Sequence, residues 1–350
     1  MSGGATVVAV RQRERAIDIF KGLLVLGMVY CHTLQFFSDP MIFPQGQKWI
    51  EFINLITFSG FVFSFGYVCQ LAYYNKAFSE VWHRMLATAF KTLLAFYISG
   101  TAFRLFIDQR PLEWKTIRPI LLLNDMPGWS EFLASFTYLI VLGLLLFVPL
   151  KWLVGRKWTG FTAAGLLLLT TWIPYGSIHE PIWAPLFGTR DFASFPVVQY
   201  FPYYLLGMLF ARYRIGFDWR ILAGSALASG AFVWRWLSNP ETSLPERFPP
   251  SVWWILGPAL VLYGYYLLSR LMEKYPLPFV PLEAMGRNVL WFLVMSNVLI
   301  FALKNNQPLL LAGLLDALWM ELGLLAVIGY GIWIITKPAR RATSNHDTKI

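Results

Sequence analysis

Charge is what this sequence has least of. Only 14% of its 350 residues are Asp, Glu, Lys or Arg, where soluble domains carry about a quarter. With 57% hydrophobic residues and a mean hydropathy of +0.53, the chain has too little polar surface to coat itself against water. Cysteine is scarce too. The two present, Cys31 and Cys69, both fall inside apolar runs, which excludes a disulfide framework and a Cys-based metal site. The histidines, His32, His83, His179 and His346, show neither His-x3-His nor His-Glu-x-x-His spacing, and no carboxylate pair has ligand spacing, so no metal is expected. Nor does a Gly-x-x-x-x-Gly-Lys-Ser/Thr or a Gly-x-Gly-x-x-Gly cradle for phosphates occur.

What the sequence does have is apolar blocks of roughly 18 to 25 residues, long enough to cross a hydrocarbon core of about 30 Å at 1.5 Å per residue. A membrane barrel would need segments of about ten residues with alternating polarity, and these blocks are apolar on all sides. The expectation is therefore an all-α, polytopic integral membrane bundle of about ten transmembrane helices. The predicted spans are 17–37, 50–74, 85–107, 131–150, 159–173, 196–213, 219–237, 251–269, 287–303 and 308–335. Arg11, Arg13 and Arg15 precede the first run and no small-residue cleavage site follows, which reads as an uncleaved first span.

An even number of spans puts both termini on one side. Assigning that side to the cytoplasm places 19 of the 29 Lys and Arg residues inside, as the positive-inside bias requires. The same distribution accounts for a net charge of +10 and a pI near 9.6 without a nucleic-acid partner, because the basic residues are scattered through short loops. Aromatics, 17% of residues, read as core and interface belts. The outer connections 38–49, 108–130, 174–195 and 238–250 exceed tight turns, and the loops are too short for a soluble domain. One membrane domain, 1–337, is expected, with a polar cytoplasmic tail over 338–350.

Ionisable groups within spans cost about 2.5 to 3.5 kcal/mol at the centre, so they face the bundle interior and mark function. The first span, RAIDIFKGLLVLGMVYCH, carries Arg15, Asp18, Lys21 and His32. Asp18 and Lys21, three apart, share a face. His32 follows Lys21 by eleven residues, about three turns and some 16 Å, and returns to that face. Two readings stand here: an interfacial ion pair plus a packing histidine, or a charged inner mouth below a titratable imidazole.

An acidic residue, a basic residue three later and a histidine eleven beyond resembles the first helix of the acyltransferase-3 family. That family belongs to a wider group of transmembrane acyltransferases that includes YeiB-like proteins and heparan-α-glucosaminide N-acetyltransferase. The family's basic residue is normally Arg; Lys21 keeps the charge and loses bidentate hydrogen bonding. FVFSFGYVCQL, with Gly66 and Tyr67, is similar to the family's aromatic stretch, although Phe65 stands where Ser is usual. MPGWSEFLASFTYLIVLG, FPYYLLGMLFARY and MGRNVLWFLVMSNVLI resemble further family segments in the same order, with Ser296 and Asn297 where a His is frequent.

The resemblance implies acyl transfer, O-acetylation foremost, from cytoplasmic acyl-CoA such as acetyl-CoA to a hydroxyl of a cell-envelope glycan or a related small acceptor. It implies a bacterial plasma membrane, with the lipid bilayer as the constant partner and a homodimer among the assemblies open to it. His32 would be the general base and Asp18 would hold the inner end in register. Lys21, Arg15, Arg84 and Lys91 would engage the donor's phosphates, the last two standing where the family carries an Arg-rich motif. Arg104 and Glu131 are acceptor-side candidates from the outer face. For Arg84 the alternative is positive-inside anchoring, and for Glu131 it is compensation of a helix dipole behind a Ser130 cap. Asn288 and Asn297 are amide candidates for an oxyanion or packing role. From other classes, a secondary transporter or lipid-linked glycan flippase would use the same charges as a proton relay, and a scaffold would leave them unexplained.

Overall fold

The structure, a computed structural model, describes residues 14–239, 243–275, 279–306 and 310–336. The expected tail over 338–350 lies outside them. The helices are α1 (Arg15–Phe37), α2 (Pro44–Cys69, continued by a π-helical turn over Gln70–Tyr74), α3 (Phe78–Phe106), α4 (Trp114–Leu121), α5 (Glu131–Leu145), α6 (Phe147–Gly155), α7 (Lys157–Leu166, continued as 3-10 helix over Leu167–Trp172), α8 (Ala184–Phe187), α9 (Val197–Tyr213), α10 (Trp219–Leu237), α11 (Val252–Leu256), α12 (Ala259–Lys274), α13 (Val280–Arg287), α14 (Val289–Asn306) and α15 (Leu314–Thr336). Among the described residues there is no strand, only two isolated bridges.

Each expected span coincides with helix, because in lipid every backbone N–H and C=O must be satisfied within its own segment. By length and composition, six of these helices are long and apolar enough to cross a membrane, or seven if α5 and α6 are one span bent by 78°. The difference from ten has local causes. The expected span 131–150 breaks at Leu146, 159–173 runs out into 3-10 helix, and α9 has 17 residues. α10 carries Arg220 and Arg235 at its ends.

α1 is the centre of the bundle. It packs against α2, α12, α13, α14 and α15, and 72% of its most apolar window is buried against 22% for the peripheral α15. Two close crossings hold the interior, both made by glycine. At the α1–α13 crossing a β-carbon on Gly286 would fall on the Asp18 carbonyl, and one on Gly22 would fall on the Leu282 carbonyl. At the α2–α9 crossing Gly66 meets the Tyr204 carbonyl and Gly207 meets that of Phe63 in the same way. Small residues let backbones approach where lipid supplies no hydrophobic drive between helices.

Candidate active site

His32 lies in the last third of α1, where the helix leaves its close crossing with α13 and faces α2, the start of α5 and three outer connections. These elements enclose a chamber of about 190 Å³. His32 is half-buried, and the surface it keeps is part of the chamber wall. Its Nδ1 is buried without a hydrogen-bond partner. The Asn297 side chain from α14 is within electrostatic reach of the imidazole but closes no hydrogen bond to it, and its Oδ1 is unpartnered as well. The Asn297 amide instead donates to Ser99 Oγ and to the Trp129 carbonyl, both at 2.9 Å.

Glu131 reaches the same chamber from the first position of α5. It is 7% exposed, and its Oε2 has no partner. The expected Ser130 cap does not form, because the Ser130 hydroxyl pairs with Ser99 Oγ at 2.8 Å. Just before it, Trp129 has φ +57°, a left-handed backbone that costs a bulky side chain free energy unless its surroundings impose it. They do: the indole Nε1 donates to Gln35 Oε1 at 2.9 Å, and the ring packs against Phe36 and Phe103. Arg104 fixes the connection that leads there. Its guanidinium holds Asp125 and Asp108, the former through a bond of 2.9 Å from Nε and a second from the terminal nitrogen. Arg104 does not line the chamber.

A second cavity of about 480 Å³ lies on the outer side, between the ends of α1 and α2 and the connection that precedes α11. It shares Gln35, Asn54, Trp129 and Arg247 with the His32 chamber, and these four mark the neck where the two cavities adjoin. Arg247 is the one cation at that neck. Its guanidinium lies over the rings of Phe248, Phe195 and Trp254, 4.4, 5.3 and 5.9 Å from their centroids. Its Nε is buried without a partner. Burial pulls its pKa below the ordinary arginine value, partly offset by the Tyr200 phenol and then the Cys31 thiol and Glu131 carboxyl.

The inner end of α1 is different in kind. Lys21 Nζ is 2.9 Å from Asp18 Oδ1, and Arg15 holds Glu283 of α13 at 2.9 Å. Arg287, from the end of α13, reaches Glu283 at 2.8 Å and Asp18 at 3.8 Å. Asp18, Lys21 and Arg15 are thus brought together, with two partners that sequence reasoning did not assign. Arg84 and Lys91 are not brought to them. Both are exposed on α3, on the side that also exposes Leu94 and Ile98, while α3 packs by its other side on α5 and α14. His83 is exposed beside them, and His179 pairs with Asp191 at 2.9 Å in an outer connection. No group of three or more potential metal ligands occurs among the described residues.

Sequence reasoning passed over Arg247, Trp129, Gln35 and Glu283. Arg247 falls in the outer connection 238–250, which carries no motif, and nothing local distinguishes it from Arg110 or Arg190 in the other outer connections. Glu283 precedes the MGRN segment by one residue, and its role depends on Arg15, 268 positions away.

The acyltransferase-3 family, described as an acyltransferase domain, matches residues 14–337. No curated protein and no solved structure matches significantly. The matched range takes in α1, both ends of its polar wall and every element around the His32 chamber, so the chain belongs to the acyltransferase-3 family and is an integral membrane acyltransferase.

Proposed function

We propose that the protein transfers an acyl group, acetyl foremost, from cytoplasmic acyl-CoA to a hydroxyl of a cell-envelope glycan, with His32 as general base. The observation that carries this reading is the position of His32: an imidazole with a free buried nitrogen, open to a chamber that adjoins an outer cavity across four shared lining residues. The acceptor comes from the outer cavity. His32 takes the proton of its hydroxyl as the oxygen attacks the thioester carbonyl. The C–O bond forms, the tetrahedral intermediate expels the CoA sulfur, and the imidazolium returns the proton to that thiolate. No covalent acyl-enzyme is needed.

The donor's phosphates are met at the inner end. There Arg15, Lys21 and Arg287 face Asp18 and Glu283, so the cations are held in place by ion pairs at the end where an anionic donor arrives. Asp18 acts as a positioning residue, holding Lys21 and α13 in register. Arg84 and Lys91, on the outer side of α3, serve as anchors and lie away from the donor's path. In this orientation both termini are cytoplasmic and the membrane is a bacterial plasma membrane. Glu131 accepts a hydrogen bond from the acceptor, and the Asn297 amide holds Trp129 in place.

The test is incubation of membranes containing the protein with radiolabelled acetyl-CoA and an envelope extract. Free CoA and a labelled, base-labile ester are expected, and His32→Ala, correctly inserted, loses transfer by about 10²- to 10⁴-fold. Undiminished transfer by that variant removes His32 as the base. Movement of the unmodified acceptor across the bilayer without CoA release would favour a flippase instead.

A further inference from the structure

Among the described polar groups of the chamber, Arg247 is the one whose arrangement is least accounted for by folding. Arg247 is half-buried, with its Nε away from water, and a guanidinium so placed ordinarily meets a carboxylate, because an uncompensated charge withdrawn from water costs free energy. The other buried or half-buried cations near α1 follow that rule: Arg15 holds Glu283, Lys21 holds Asp18 and Arg104 holds Asp125. Arg247 instead rests on three ring faces, with Nε unsatisfied. Across the same chamber Glu131 Oε2 is also unsatisfied. The two are near enough to influence one another electrostatically, yet they do not pair. A cation and a carboxylate that face one space and leave it open are placed for a ligand that offers both an anion and a hydroxyl.

We infer that the acceptor is an acidic saccharide, and that Arg247 at the neck of the outer cavity binds its carboxylate. This deepens the acyl-transfer reading above and rests on it for the identity of the ligand as acceptor. The surroundings suit a sugar. Gln35, Asn54 and Glu51 offer amide and carboxylate groups for hydroxyls, and Trp129 and Trp254 line the same outer cavity. The anion is a carboxylate and not a phosphate, because Arg247 is the only cation lining either cavity among the described residues, and Glu131 and Glu246 stand close by. One planar fork matches one carboxylate; a doubly charged phosphate would face the carboxyl groups of Glu131, Glu246 and Glu51 with a single compensating charge. With its carboxylate held at the neck, the sugar ring lies toward His32, and a ring hydroxyl meets the imidazole. Arg247 selects the acceptor and takes no part in proton transfer.

The test separates binding from transfer. The full chain in lipid nanodiscs is titrated by calorimetry, without donor, with methyl β-D-glucuronide, methyl β-D-glucoside and methyl glucoside 6-phosphate. The glucuronide is expected to bind about 100-fold more tightly than the glucoside, and more tightly than the phosphate. Arg247→Gln is expected to abolish that preference while leaving glucoside binding within about twofold. Arg247→Lys, which keeps the charge on the rings without the fork, is expected to retain a preference reduced about tenfold. Equal affinity of the unaltered protein for glucuronide and glucoside, tighter binding of the phosphate, or equal weakening of all three ligands by Arg247→Gln overturns the inference. Labelled acetyl-CoA is then added. Arg247-dependent glucuronide binding without any transfer leaves the carboxylate site at Arg247 standing and removes the acyl-transfer reading together with the ligand's role as acceptor, whereas transfer that ignores the carboxylate removes this inference alone.

Discussion

The two ends of α1 present opposite solutions to the same problem of polar groups inside a bundle. At the inner end, Arg15, Asp18 and Lys21 are tied to Glu283 and Arg287 in a network that closes α1 against α13. At the outer end, His32 Nδ1, Glu131 Oε2 and Arg247 Nε lack partners around one chamber. Satisfied groups lower the free energy of the fold. Unsatisfied ones raise it by about 1–3 kcal/mol each and persist where a ligand completes them. On the function proposed above, the difference separates the residues that assemble the bundle from those that act in it.

The sharpest way to break that comparison is to remove one residue from each end and measure both activity and stability. His32→Ala is expected to lower acyl transfer by as much as 10⁴-fold while the detergent-unfolding midpoint stays where it was; a large loss of stability would place His32 with the structural end instead. Asp18→Ala is expected to show the reverse order of effects. It leaves Lys21 without its nearest carboxylate at a site 2% exposed, and breaking a buried pair costs about 3–5 kcal/mol. Unfolding at lower denaturant, with loss of folded protein in the membrane, is the expected readout. A stable variant that has merely lost affinity for acyl-CoA would move Asp18 from positioning to donor binding.

Arg104→Ala sharpens the comparison at an intermediate level. The guanidinium touches neither cavity but anchors the connection that sets Trp129 and Glu131. A drop of about tenfold in transfer, carried by KM for the acceptor with donor binding unchanged, is expected, and Arg104→Lys should rescue it in part. An unchanged KM would show that the connection holds its shape without that anchor. The smallest effect belongs to Arg84→Ala combined with Lys91→Ala. Both side chains are exposed on α3, apart from the inner cluster, so the affinity for acyl-CoA is expected to change by less than about twofold. A tenfold loss would bring the donor site onto α3 and redraw the inner end.

Much of this was legible in the residues themselves. The spacing of Asp18, Lys21 and His32 placed an ion pair and an imidazole on one wall of a buried helix, and the structure has Lys21 on Asp18 and His32 open to a cavity. Glu131, weighed as a group near the outer face that could meet that imidazole, lines the same chamber. The apolar runs marked where helices would form, and six or seven of those helices are long and apolar enough to cross a membrane by length and composition; hydropathy registers neither the 78° bend after α5 nor the 3-10 ending of α7. Lys91 shows the limit of reasoning from depth alone: a lysine two turns into a span was expected to face inward, and α3 turns it outward. Which side a helix buries depends on its neighbours, and those are unknown until the bundle is assembled.

The sequence by itself determined the solvent, the helices and the polar groups of α1, because burial of an apolar run and hydrogen bonding within a helix are settled inside each segment. Only the tertiary structure decided which of those groups find partners. Glu283 reaches Arg15 across 268 positions, and Arg247 comes to the neck of the His32 chamber from a connection with no pattern of its own. Such meetings are set by close glycine crossings and by the packing of distant helices. Their energies exist only once the chain has brought both groups to the same place.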